Sequence, residues 1–170
     1  MSNNISKQEE ERYEELQLIA LDFARNGNTR ELEKMLKHGM SVNLCTSKYD
    51  SLIMLSSYKG HLETTKMLIE KGADINKLNA RGQTPLDGVC FKGDLRIAKL
   101  LVENGANTDG NSIMLAAIFG NKDIVSYLKE KRLHKKSLRI FGVSVEFISS
   151  FMFFMKSIFR IKNPIGKKAT

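Results

Sequence analysis

An all-α solenoid of about four stacked helix pairs is the fold class that this sequence predicts, and three observations predict it. Gly27, Gly60 and Gly93 recur at an interval of 33 residues, and Gly39, Gly72 and Gly105 recur at the same interval. Asn43, Asn76 and Asp109 follow the second glycine set at constant distance, while Leu36, Ile69 and Val102 precede it. Hydrophobic residues make up 42% of the chain and charged residues 27%, with no Trp and two Pro, which fits a packed and mostly helical chain. Independent landmarks that share one period identify a repeat. Each repeat of this length is one supersecondary unit, and it must stack on its neighbours to bury its apolar face.

The landmarks divide the chain into an N-terminal helical extension (1–17), a stack over 18–131, and a tail over 132–170. The units of the stack fall at about 18–43, 44–76, 77–109 and 110–131. Taken in order, the acidic run Glu9-Glu10-Glu11 with Glu14-Glu15 sits at the start of the first predicted helix, where negative charge complements the macrodipole. In the later units Ser51 and Thr84 precede apolar-periodic stretches as N-caps, and Pro85 occupies the first turn, where its missing N–H costs nothing. These first helices end at Gly60 and Gly93, residues suited to a left-handed terminus. A second helix follows at once, with Asn28, His61, Asp94 and Asn121 as its cap candidates. Its apolar stripe is clearest in Leu95, Ile97, Ala98, Leu100 and Leu101, and it stops at Gly105. The fourth unit is shorter: Gly93 to Gly120 spans 27 residues, so the loop loses residues and a tight turn is expected at Asp109-Gly110.

The segments Gly60-His61-Leu62-Glu63, Leu68-Ile69-Glu70-Lys71-Gly72-Ala73-Asp74-Ile75-Asn76 and Asn79-Ala80-Arg81-Gly82-Gln83-Thr84-Pro85-Leu86 resemble the ankyrin repeat, over residues 18–131. That resemblance implies a helix–turn–helix–loop stack with a β-turn or hairpin between units and a concave binding face. The chain departs from the family pattern where Asp87 replaces the usual His of the Thr-Pro-Leu-His segment, with Met54 and Met114 at the equivalent positions. In the second unit Ser51-Leu52-Ile53 stands for Thr-Pro-Leu. These changes are expected to weaken the local capping networks.

Catalysis finds little support in the residues. Asn163-Pro164-Ile165-Gly166-Lys167-Lys168 lacks the upstream glycine of a phosphate loop. The three histidines, His38, His61 and His134, are scattered, and Cys45 and Cys90 lie 45 residues apart without metal-ligand spacing. Cys90 falls where the family pattern takes a small buried residue, so it reads as a packed thiol. No catalytic residue, metal site, cofactor or small-molecule substrate is therefore expected. The N-terminus, Met1 to Arg12, is polar, acidic and unlike a secretory signal. A reducing, cytoplasmic setting is expected.

What remains is binding, as a scaffold, adaptor or inhibitor that grips a protein. The resemblance places contacts on the inner-helix surface and on the loop tips. One register of the inner surface runs Arg25, Tyr58, Phe91, Ile118, and the next runs Asn26, Lys59, Lys92, Phe119. Large rings flanked by Lys make a candidate hot spot; burial of Phe91 and Ile118 between units is the competing reading. The loop tips contribute Lys48 and Tyr49 beside Asp50 in one unit, and Lys77, Leu78, Arg81 and Gln83 beside Ala80 in the next.

The net charge of +8 belongs to the tail. Residues 1–128 hold 16 Lys+Arg against 17 Asp+Glu, whereas residues 129–170 hold 11 against 2. A nucleic-acid partner is disfavoured, because the near-neutral stack offers no basic face. After the basic run KEKRLHKKSLR (129–139), Phe147, Ile148, Phe151, Met152, Met155, Ile158 and Phe159 fall on one helical face, with Glu146, Lys156 and Arg160 mostly opposite. Three readings stay open: a helix that caps the stack; a membrane-peripheral anchor on an anionic surface, with Phe147, Phe151, Met155, Lys156, Phe159 and Arg160 as contacts; and a membrane span, which Glu146 and Lys156 penalise.

Overall fold

The period of 33 is built as a row of short helices separated by left-handed turns. The computed structural model of the chain describes residues 6–108 and 111–140, and within these every side chain outside 134–140. Met1–Lys129 and Glu130–Thr170 are two compact units. Among the described residues there are eight helices: α1 (Lys7–Asn26), α2 (Thr29–Lys37), α3 (Leu52–Lys59), α4 (Leu62–Glu70), α5 (Pro85–Lys92), α6 (Leu95–Glu103), α7 (Ser112–Ile118) and α8 (Lys122–Ile140). The fold is the all-α solenoid that the repeat predicts. In the first unit α1, α3, α5 and α7 pack one on the next, and α2, α4 and α6 form a second row beside them. Of the second unit, the described residues are the end of α8, which carries the basic run as helix.

Small residues let the first row close up. Ala24, Ser57 and Cys90 occupy one position of three successive units and are all buried; in the second row Leu68 and Leu101 share a position one repeat apart and are buried, as is Leu32. Burial pushes the Cys90 thiol up to about 12, and the neighbouring Asp87 carboxylate adds to the effect. At neutral pH this sulfur holds its proton and is a poor nucleophile.

Caps at the first-helix starts sit where the sequence puts them. The Met54 N–H donates to Ser51 Oγ at 3.4 Å, and the Asp87 N–H donates to Thr84 Oγ1 at 3.2 Å. At the head of α1, Ser6 and Glu9 form a reciprocal capping pair, and the Ser6 backbone N–H holds the Glu9 carboxyl below the usual carboxylate range.

The replacement of the family His by Asp87 needs correction: it does not weaken the cap. Asp87 Oδ2 accepts the Thr84 N–H at 2.9 Å, which closes a capping box, and Oδ1 accepts the Ser112 hydroxyl at 2.6 Å. A carboxylate offers two oxygens in one plane, so one residue serves its own helix and the next unit together.

The second-helix caps also need correction. Of the four candidates only Asp94 caps, taking the Arg96 and Ile97 N–H groups on one oxygen. Asn28 makes no side-chain cap. His61 and Asn121 turn back to the unit before them. His61 Nε2 lies 3.0 Å from the Arg25 carbonyl oxygen, which can only accept, so this nitrogen carries the ring proton. Asn121 Nδ2 donates to the Cys90 carbonyl at 2.8 Å. Both carbonyls belong to the last turn of a helix, where the helix itself leaves them without a partner. Glycine makes the approach feasible: a Cβ on Gly27 would lie 2.5 Å from His61 Nδ1, and one on Gly93 would lie 2.4 Å from Asn121 Oδ1.

The loops join by a polar ladder. Asn43 Oδ1 accepts the Asp74 N–H, and Asn76 Oδ1 accepts the Asn107 N–H, each at 2.8 Å. This explains two members of the third landmark set; Asp109 and the turn expected at Asp109-Gly110 lie outside the described residues. Each tip is a tight hairpin: Thr46 N–H donates to Asp50 O at 3.0 Å and Tyr49 N–H to Thr46 O at 2.8 Å, and in the next unit Asn79 N–H donates to Gln83 O at 3.0 Å and Gly82 N–H to Asn79 O at 2.9 Å. A single antiparallel bridge, Cys45 to Ser51, is the one β-type pairing among the described residues.

Tyr49 occupies the place in its tip that Gly82 takes 33 residues later, and both are left-handed, with φ of 62° and 69°. For a tyrosine that conformation costs roughly 1–2 kcal/mol, against which glycine brings a backbone entropy penalty of about 0.5–1 kcal/mol. Tyr49→Gly is therefore expected to stabilise the fold by about 0.5–1 kcal/mol, read as a higher urea midpoint. A lower midpoint would mean that the tyrosine ring contributes more than its backbone strain removes.

Candidate protein-binding face

Rings and cations meet on the outside of α3 and α5. Tyr58 and Phe91, one repeat apart near the ends of these helices, stack with centroids 6.2 Å apart and planes at 18°. Phe119, which closes α7, meets Phe91 edge-on at 4.3 Å. The two sequence registers thus interleave into one aromatic row. Lys92 Nζ stands 5.1 Å over the Tyr58 ring, where the ring quadrupole attracts it. None of the three rings is buried: Tyr58 is 37% exposed, Phe91 40% and Phe119 49%. The competing reading of Phe91 and Ile118 as core does not hold, since Ile118 is also 67% exposed.

In front of Tyr58 lies a groove of about 390 Å³, walled by helices on one side and by loop residues on the other. Arg25, Tyr58, Lys59 and Phe91 supply the helix side, and Arg81 and Gln83 supply the loop side. The structure brings these six predicted positions together. Lys77, Leu78, Lys48, Tyr49, Lys92, Ile118 and Phe119 do not line the groove. Leu78 and Tyr49 stand exposed at 56% and 58%, and the Lys48 carbonyl accepts the Ala80 N–H at 2.9 Å, which ties one tip to the next.

Asp50, named beside the loop-tip candidates, also lines the groove, whereas sequence reasoning missed Met54, Leu55, Asn79, Thr84 and Gly88 as lining residues. Asn79 is the pivot of the loop wall. Its Oδ1 accepts the Arg81 and Gln83 N–H groups, each at 3.0 Å, and its Nδ2 donates to Asp50 at 2.9 Å. Gly88 carried a readable signal, a glycine inside an apolar helical stretch with no turn to make. Among the described residues no three His, Cys, Asp or Glu side chains group as metal ligands, and Cys45 and Cys90 are both free. The membrane-contact candidates Phe147, Phe151, Met155, Lys156, Phe159 and Arg160 lie outside the described residues. No described helix is long and apolar enough to cross a membrane.

Known proteins carry the same architecture. The family model described as ankyrin repeats (3 copies) matches residues 16–112 and 53–139. A relative from Pseudomonas aeruginosa, named as an ankyrin repeat protein, is 48% identical over 46 residues, which is 27% of each chain. The solved ankyrin repeat domain of human ASB11 superposes with a TM-score of 0.62 at 26% identity, covering 66% of this chain and 53% of that one. The chain thus spans about a quarter of the curated relative and about half of the solved domain.

Proposed function

The chain belongs to the ankyrin-repeat family, whose members are generally protein-interaction modules, and from that premise we propose that it acts by gripping a protein partner across α3, α5 and the loop tips. The aromatic row Tyr58–Phe91–Phe119 carries this reading. Rings left exposed on a rigid scaffold lose little entropy when covered, and such residues supply most of the binding energy in typical interfaces. The groove beside them gives an anchor side chain of the partner a place to enter. The proposed role is that of a scaffold, adaptor or inhibitor rather than a catalyst. Of the two sulfurs, one is buried and protonated, and both are unpaired, which suits a reducing compartment such as the cytoplasm.

Photo-crosslinking tests the location. A benzophenone side chain placed at Phe91 is expected to join the partner in high yield, and one placed at Lys66, exposed on α4 in the other row, in low yield. Equal yields from the two positions, or a higher yield from Lys66, would remove α3 and α5 from the interface.

A further inference from the structure

We propose that the groove beside Gly88 takes an acidic peptide segment carrying one aromatic or large aliphatic residue; this rests on the protein-binding reading above and names the chemistry of the partner. Charge is the first observation. Arg25, Lys59 and Arg81 line the groove, and Lys92 stands at its edge over Tyr58. Asp50 is the one acid in the lining, and its carboxylate already accepts from Asn79. Arg25 pairs with Asp22, while Lys59, Arg81 and Lys92 have no acidic partner among the described residues. Residues 1–128 hold 16 Lys+Arg against 17 Asp+Glu, so this cluster of cations is local and not a by-product of a basic domain. Carboxylates on a bound strand would complement it.

Gly88 is the second observation. It lies within α5 without a positive φ, so its backbone needs no glycine, and glycine weakens a helix relative to alanine. What the position does require is room: a Cβ there would lie 3.3 Å from Tyr58 Cδ2. The missing side chain lets the Tyr58 ring settle against α5, stacked on Phe91, and leaves the space before the two rings open. A volume of about 390 Å³ is at the small end of the roughly 300–1,000 Å³ typical of ligand pockets, enough for an anchor side chain and its flanking backbone. Rings and cations also serve single-stranded nucleic acids. A nucleic-acid strand, however, draws its affinity from a run of neutralised phosphates, and the near-neutral stack favours a short acidic peptide.

The test is selection of a random peptide library displayed on phage against the immobilised full chain. Enriched sequences are then synthesised with a fluorescent label and titrated by anisotropy. The expected pool is rich in Asp and Glu around one aromatic or large aliphatic residue. Its peptides should lose at least about tenfold in affinity for Lys59→Glu/Lys92→Glu and for Gly88→Met, which fills the groove with a good helix former. Melting curves confirm that each variant is folded. A pool without acidic excess, no pool at all, or affinities untouched by both variants overturns the proposal. Peptides that lack the acidic bias but are lost by Tyr58→Ala/Phe91→Ala sink the chemistry and leave the face as a binding surface. Peptides that bind this double variant at full strength sink the protein-binding reading as well. A labelled oligouridylate that competes with the peptides, and is weakened by the charge reversal, overturns the proposal in favour of single-stranded nucleic acid.

Discussion

Leu101→Ala is expected to destabilise the protein by about 3 kcal/mol, lowering its melting temperature by roughly 10 °C. Leu101 is fully buried in α6, which packs on both α5 and α4, so its side chain fills space shared by two units. Truncation removes the transfer energy of the leucine and leaves a cavity that rigid neighbours only partly close. In a stack each unit is stable only through the interfaces it makes, so the loss should spread beyond α6. Leu78→Ala is the control. Leu78 is 56% exposed in a loop, and its truncation should stay within about 0.5 kcal/mol. A similar cost at both positions would mean that α6 is not packed as described.

Asp87→Ala has the next largest expected effect, about 2–3 kcal/mol. One part is the lost capping box on Thr84, which contributes about 1 kcal/mol. The other part is Ser112, a residue 1% exposed whose hydroxyl loses the acceptor it meets at 2.6 Å, at a cost of about 1–2 kcal/mol. Coupling separates the two. In the double variant Asp87→Ala/Ser112→Ala the orphaned hydroxyl is gone, so part of the loss should be recovered, and a double-mutant cycle by urea denaturation measures it. Strictly additive single effects would show that the bond between the units contributes nothing.

These two residues also show what the sequence disclosed and what it hid. The periodic leucines and the helix-ending glycines were legible because each acts within one unit, where a fixed spacing translates directly into a face or a turn. Asp87 was misread in two parts: its capping box with Thr84 is local and was legible from the three-residue spacing, whereas its bond to Ser112 reaches another unit, 25 residues on. His61 and Asn121 failed as caps because their partners, like Ser112, lie in another unit. Both are of a type and at a place that suit an N-cap, but the unsatisfied carbonyls they serve belong to the preceding helix.

The candidate site divides in a similar way. Tyr58, Phe91, Arg81 and Gln83 could be named from the register, whereas the groove between them is a product of the packing of three units. Two signals were present and unread. Gly88 breaks no pattern except helix propensity, and Tyr49 stands 33 residues before Gly82, an alignment that marks a left-handed position without its glycine. The tail gave a clear amphipathic pattern, and its contact candidates lie outside the described residues.

Quantitative capture from an extract of the source cells, read by mass spectrometry, tests the binding face most directly. The native chain is compared with Tyr58→Ala/Phe91→Ala, which strips the rings from α3 and α5, and with Lys66→Ala/Arg96→Ala, which alters exposed positions of the other helix row. All three should remain folded, with the ring variant melting somewhat lower because Tyr58 and Phe91 stack on each other and Phe91 meets Phe119. The expected result is a loss of at least about tenfold in captured partner for the ring variant and none for the other. Full capture by a folded Tyr58→Ala/Phe91→Ala chain, or a loss confined to Lys66→Ala/Arg96→Ala, would contradict the assignment of the binding face.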